Sequence, residues 1–130
     1  MSQTRLARYI FLFSGIFGLI VLSPQYFLEH RVGADYPPPI THPEFYYGFV
    51  GLALAFQVVF IIISTDPVRF RPLMIAGILE KLAFGVPAYA LYFAGRLNSA
   101  TLGFATFDLL LGALFLWVYL TTTPHNPQNA

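Results

Sequence analysis

The chain has 130 residues, enough for one domain, and 57% of them are hydrophobic while only 10% are charged. Such a composition lacks the polar surface of a soluble domain, and a net charge of +1 is too small for a nucleic-acid-binding surface. The chain contains no cysteine, which excludes disulfides, thiolate catalysis, iron–sulfur clusters and cysteine-pair redox exchange.

Four apolar stretches are long enough to cross a bilayer, because about 20 helical residues rising about 1.5 Å each span roughly 30 Å of hydrocarbon. We therefore predict an all-α fold, an integral membrane antiparallel four-helix transmembrane bundle that forms a single domain of residues 1–130. The predicted segments are spans near 6–23, 44–64, 72–95 and 101–121, an outer loop at 24–43 and a disordered tail at 122–130.

The first span has an alternative interpretation. Arg5 and Arg8 before a short apolar core are also typical of a secretory signal peptide, which would be cleaved. No A-x-A site follows the core, and Pro24 directly after "VLS" is a poor cleavage context. We therefore expect the segment to be retained as a span.

Prolines and one aspartate predict where the second and third spans end and begin. The second span closes at "STDP", where Asp66 is expected to cap the next helix with Pro67 at its first position. "DPVRF" is then a short interfacial turn, and Pro72 separates it from the third span. Pro87 removes one hydrogen bond within that span and is expected to bend it.

The orientation follows from the positive residues in the short loops, which are retained on the cytoplasmic side. We expect both termini in the cytoplasm, and we expect the membrane to be a bacterial inner membrane. Arg69 and Arg71, interleaved with Phe70, would also suit anionic lipid headgroups, although topology alone explains them as well. The predicted inner side carries Arg5, Arg8, Arg69 and Arg71, while the outer side shows Arg31 and Arg96.

An intramembrane polar cluster is predicted around Glu80 and Lys81, which stand side by side in the third span. Neighbours on a helix point about 100° apart, so the two are not expected to pair with each other. Asp108 on the fourth span reaches a similar depth, which predicts an ion pair between Lys81 and Asp108. Glu80 is then left to bond Gln57 of the second span or a tyrosine hydroxyl, or to stay protonated.

The role of this cluster stays open at this stage. The four residues can fix the register of the helices, which is a structural role. Intramembrane ionisable groups are also functional candidates, so they can handle protons or bind a ligand. A ligand pocket would have aromatic walls from Phe56, Phe84 and Phe104 with Gln57 or Glu80 as its polar handle.

The outer loop gathers several metal-binding residue types near one membrane face. The candidate metal ligands are His30, His42 and Glu44, with Glu29 and Asp35 nearby. Their spacing matches no known metal signature such as H-E-x-x-H. The alternative is a solvated loop stiffened by Pro37, Pro38 and Pro39 in a polyproline conformation.

Two segments resemble a known group of proteins. With four short spans, "ILEKLAFG" in the third and "FDLLLG" at 107–112 in the fourth, the chain resembles the small bacterial four-span proteins of DoxX-like layout. Most of those proteins have no assigned activity. The resemblance implies a bundle and transfers no catalytic residue, and the cysteine-bearing redox members of related layouts do not fit this composition.

Among functions, we expect first a non-catalytic accessory or structural subunit that contacts other membrane protein subunits or copies of itself in the bilayer. The rival is a binder of an apolar small molecule such as a quinone, sterol or isoprenoid. An ion or proton carrier ranks third. An enzyme ranks last, because the sequence has no phosphate loop, catalytic triad or dinucleotide fingerprint. We expect no cofactor apart from a bound lipid or quinone, and no nucleic-acid partner.

Overall fold

The structure, a computed structural model, describes residues 2–124, and every regular element in that range is helical. Four of these helices are long and apolar enough to cross a membrane, namely α1 with its 3-10 continuation, α3, α4 and α5. This confirms the predicted all-α integral membrane bundle. Of the predicted tail, residues 125–130 lie outside the described residues. The helices are α1 (Gln3–Leu22), a 3-10 helix (Ser23–Phe27), α2 (Glu29–Asp35), α3 (Pro43–Thr65), α4 (Arg71–Phe93) and α5 (Ser99–Thr121).

The cap predicted at Asp66 is wrong in its position. Asp66 Oδ1 accepts a hydrogen bond from the Arg69 backbone N–H at 3.1 Å, and this bond closes a separate turn before α4 begins at Arg71. Pro72 occupies the first turn of α4, where its missing N–H costs no hydrogen bond. The segment "DPVRF" is therefore a turn, as predicted, while Pro67 does not start the helix.

The segment 24–43, predicted to be the outer loop, is more ordered than a loop, because it contains the 3-10 helix and α2. Two tyrosines in the first turns of α3 anchor it. Tyr46 Oη donates to the backbone carbonyl of Gln25 at 2.6 Å, and Tyr47 Oη donates to Glu29 Oε2 at 2.8 Å. We call the segment 23–35 with these two bonds the outer strap.

The four spanning helices are arranged as two close pairs. In the first pair α1 packs along α3, with Phe11 beside Phe60 near one end and Tyr26 stacked on Tyr47 at the other. Residue numbers rise along one helix as they fall along the other, so the pair is antiparallel. The backbones come so close that a Cβ atom at Gly15 would lie 2.8 Å from a carbonyl oxygen of α3.

The second pair is formed by α4 and α5. Arg71 Nε donates to the carbonyl of Tyr119 at 3.1 Å near one end, and the hydroxyls of Tyr89 and Thr106 are hydrogen-bonded at 2.7 Å near the other. This pair is also antiparallel. The two pairs touch each other much less than the helices within each pair do.

One cluster of buried side chains joins the two pairs at a single end of the bundle. The Phe11 and Phe115 rings stack at 4.3 Å between centroids, and Phe60 meets Phe115 edge-on at 5.0 Å. Such aromatic contacts add to the packing that holds helices together in lipid. Beyond this cluster the pairs meet again through Phe17 and Phe107, with ring centroids 5.1 Å apart, and through Phe49 and Phe84 at 5.7 Å. We call the buried cluster the aromatic core, and it consists of Ala7, Phe11, Phe60, Ile63, Met74, Phe115 and Val118.

The outer surfaces of all four spanning helices carry exposed apolar side chains. A bilayer has no water to drive these side chains inward, so lipid contact is the environment that such a surface requires. Examples from the four helices are Ile20, Leu52, Val86 and Leu120.

Candidate ligand cavity between the helical pairs

A cavity of about 410 Å³ lies between the two helical pairs. All four spanning helices and α2 contribute to its walls, and most of the lining is apolar. The polar residues of its deep end are Ser14, Gln57, Glu80, Lys81 and Asp108, its phenylalanine walls are Phe17, Phe49, Phe84, Phe104 and Phe107, and the outer strap adds Val32 and Gln25.

The predicted ion pair forms the deep end of this cavity and is confirmed. Lys81 Nζ donates to Asp108 Oδ1 at 2.9 Å, and only 5% of the Lys81 side chain is exposed. Gly112 makes the approach feasible, since a Cβ atom there would lie 3.0 Å from the Lys81 Cβ. The ammonium also lies 5.2 Å from the centroid of the Phe60 ring, a favourable cation–π distance.

The expectation that Glu80 and Lys81 would not meet is wrong. Lys81 Nζ lies 3.2 Å from Glu80 Oε2, because the four-carbon stem of a lysine can carry its ammonium around the helix surface. The contact is ionic and not a well-formed hydrogen bond, since the buried Oε2 accepts no hydrogen bond from any residue of 2–124. One ammonium is therefore flanked by two carboxyl groups.

Gln57 does not bond Glu80, which corrects the second expectation for this residue. Its Nε2 donates to the carbonyl of Ala53 one turn earlier on α3, at 2.8 Å, and its Oε1 lies against Gly18 of α1. The side chain is thus held along the α1–α3 contact, only 2% exposed. The tyrosine alternative also fails, because the hydrogen-bonded tyrosine hydroxyls of the described chain bind other groups.

Two of the three phenylalanines predicted as walls of a ligand pocket lie at the cavity. Phe84 and Phe104 line the cavity, whereas Phe56 packs against Phe60 at the edge of the aromatic core, with ring centroids 6.3 Å apart. The reason is helical geometry: Gln57 faces the cavity, and its neighbour in sequence is turned away by about 100°.

Sequence reasoning missed the wall contributed by α1. Ser14, Phe17, Gly18 and Val21 line the cavity at spacings of three, four and seven residues, which is the repeat of a single helix face. That periodicity was present in the sequence. It could have identified the face, although it does not reveal which helix the face meets.

The structure does not bring the candidate metal ligands together. His42 Nδ1 lies 3.4 Å from Glu44 Oε1 at the start of α3, while His30 lies on α2 and borders a separate pocket of about 420 Å³ with Pro39 and Ile40. Within residues 2–124 no three His, Asp or Glu side chains form a group that could hold a metal ion.

The two candidate headgroup arginines have different environments. The Arg71 guanidinium lies 3.9 Å from the centroid of the Tyr119 ring and also bonds the Tyr119 carbonyl, so it closes the end of α5. Arg69 is exposed beside Phe70, with its guanidinium 5.4 Å from the ring centroid. Arg69 is therefore the better placed of the two to meet a lipid headgroup.

Compared with models of protein families, with curated protein sequences and with solved structures, the chain has no significant match. The resemblance to the DoxX-like layout therefore stays a prediction.

Proposed function

We propose that this membrane protein binds one lipid-like small molecule in the cavity between its helical pairs. The ligand's polar head lies at the cluster of Glu80, Lys81 and Asp108, and its apolar body lies among the phenylalanines. A quinol, sterol or isoprenoid alcohol has this general build.

The observation that supports this proposal is the distribution of polar groups around the cavity. Small-molecule sites are typically concave, about 300 to 1,000 Å³ in volume and mostly apolar, with a few polar groups that fix the ligand's orientation. The cavity of about 410 Å³ has phenylalanines from α1, α3, α4 and α5 on its walls, and its charged groups lie together at one end. An amphipathic molecule matches that polarity along its length.

The charged end lies deep in the bundle. Lys81 lies near the middle of the 23-residue α4, and the aromatic core closes the bundle beneath it. With the termini in the cytoplasm, as the arginine distribution favours, the outer strap and the end of the cavity that it borders face away from the cytoplasm. Ligands would then reach the site from the outer half of the bilayer.

The earlier expectation of an accessory subunit has weaker support. It depended on a large apolar surface, and contact with lipid already accounts for that surface. A subunit role has a distinct outcome in the experiment below, because a subunit would purify in a larger assembly.

The test compares two alanines of α3. Ala53 is buried and lines the cavity, whereas Ala55 is exposed on the same helix. The wild-type protein, Ala53→Leu and Ala55→Leu are purified in mild detergent, and bound small molecules are extracted and identified by mass spectrometry. We expect wild type and Ala55→Leu to carry one lipid-like molecule and Ala53→Leu to lose it.

Should Ala53→Leu fail to fold, Thr101→Leu reduces the same cavity from α5. Equal ligand content in folded cavity variants and wild type would refute the proposal. A large stable assembly without a small molecule would support the subunit role instead.

A further inference from the structure

Building on the proposed function, we infer that the ligand's head is a hydrogen-bond donor, a hydroxyl or a protonated amine, and that carboxylates and phosphates are rejected. The chemistry of the deep end carries this inference.

The donors at the deep end already have acceptors within the protein. Ser14 Oγ donates to the carbonyl of Ile10 at 2.8 Å, and Gln57 Nε2 donates to the carbonyl of Ala53. The Lys81 ammonium donates to Asp108. The N–H groups that Lys81 and Gln57 have left belong to residues only 5% and 2% exposed, so a ligand head that only accepts hydrogen bonds has little access to them.

The acceptors are in excess and are the more accessible groups. The side chains of Glu80 and Asp108 are 16% and 22% exposed, against 5% for Lys81, and all three line the cavity. A carboxyl group that borders a cavity away from water needs a donor to satisfy its oxygens. The ligand's hydroxyl or ammonium supplies that donor.

The charges at the deep end favour the same class of head. Glu80, Lys81 and Asp108 are the charged side chains among the described lining residues, so the formal sum of two carboxylates and one ammonium is −1. An anionic head would add a third negative charge in a low-dielectric site, where like charges repel strongly. A hydroxyl adds no charge, and an ammonium neutralises the site.

The experiment uses four probes with the same apolar chain: dodecanol, dodecylammonium, dodecanoate and dodecane. Each is added at equal mole fraction to nanodiscs of phosphatidylcholine that contain the wild-type protein, and bound probe is counted by native mass spectrometry. Ala53→Leu nanodiscs give the background from lipid partitioning. We expect dodecanol or dodecylammonium to occupy the protein about tenfold more than dodecanoate, the effect of one charge-assisted hydrogen bond.

Glu80→Gln tests the assigned acceptor, with Glu44→Gln as a matched control on the exposed first turn of α3. Because glutamine removes one negative charge and offers an N–H, we expect the preference over dodecanoate to shrink in Glu80→Gln and to persist in Glu44→Gln. Dodecanoate binding as well as dodecanol in the wild type would overturn the inference and leave a ligand site standing. Binding of every probe at the Ala53→Leu background would instead overturn the proposed function.

Discussion

Lys81 on α4 and Asp108 on α5 are joined by a 2.9 Å hydrogen bond near the middle of α4. The bond connects the helices of one pair and also forms the deep end of the cavity. Its carboxylate has a competitor, because Glu80 lies 3.2 Å from the same ammonium. The three groups have to be considered together when any of them is changed.

Removal of Lys81 is expected to cost more stability than removal of Asp108. Lys81→Met leaves two neighbouring carboxyl groups without their cation, whereas Asp108→Asn leaves the ammonium beside Glu80. Stranding a buried charge costs about 3 to 5 kcal/mol in soluble proteins, and less in a membrane where snorkelling and water defects relieve it. Thermal unfolding of the detergent-purified variants measures the difference.

The double variant Lys81→Met/Asp108→Asn is expected to recover much of the loss, because both charges leave together. Strictly additive losses in this double-mutant cycle would show that the two residues are not energetically coupled. That result would contradict the ion pair.

Gly15→Ala is expected to destabilise the α1–α3 pair by about 1 to 3 kcal/mol, the usual cost of overpacking. The added Cβ would lie 2.8 Å from the Gln57 carbonyl oxygen, which is backbone and cannot turn aside. Gly48→Ala on α3 is the control, since its Cβ would meet nothing within 4 Å. That variant is expected to gain about 0.5 to 1 kcal/mol from helix propensity, and an equal loss in both variants would argue against the close helix contact.

Tyr46→Phe is expected to loosen the outer strap with little effect on the spanning helices. It removes the 2.6 Å bond to the Gln25 carbonyl, which is worth about 0.5 to 1.5 kcal/mol. Hydrogen exchange in the strap segment should accelerate, and a bound probe should dissociate faster because the strap borders the cavity. Tyr9→Phe, a change at an exposed tyrosine of α1, provides the control. Unchanged exchange at 23–35 would show that the strap does not depend on this bond.

Reporter fusions test the orientation. We expect a fusion at Pro38 to report the outer side and a fusion after Ala130 to report the cytoplasm, because the loop arginines favour that arrangement. A cytoplasmic signal from Pro38 would reverse the topology. It would also place the strap end of the cavity on the cytoplasmic side.

The spans could be predicted from the sequence because hydropathy and length measure the same property that the bilayer selects. The Lys81–Asp108 pair could be predicted as well, since antiparallel spans bring residues of similar depth together. The arrangement in two pairs could not. Every span carries apolar side chains around most of its circumference, so hydropathy does not indicate which helix packs on which.

The errors at the site have a common cause in side-chain direction. Phe56 and Gln57 are both predicted to line the cavity, yet adjacent helical residues point apart. For Glu80 and Lys81 the same angle was applied too strictly, because it describes the Cβ positions and not the end of a long flexible side chain. Gln57 satisfied its amide on its own helix, which no pattern of hydrophobicity indicates.

The aromatic core lies at one end of the bundle and joins the two helical pairs there. Phe11, Phe60 and Phe115 make the stacking contacts of this core. Contacts between the helices of one pair are more numerous than contacts between the pairs. Rotation of one pair against the other about this core would separate the Phe17–Phe107 and Phe49–Phe84 contacts without breaking a helix or the Lys81–Asp108 bond, which lies within one pair. Admission of a bulky molecule to the cavity would then require these two ring contacts to separate.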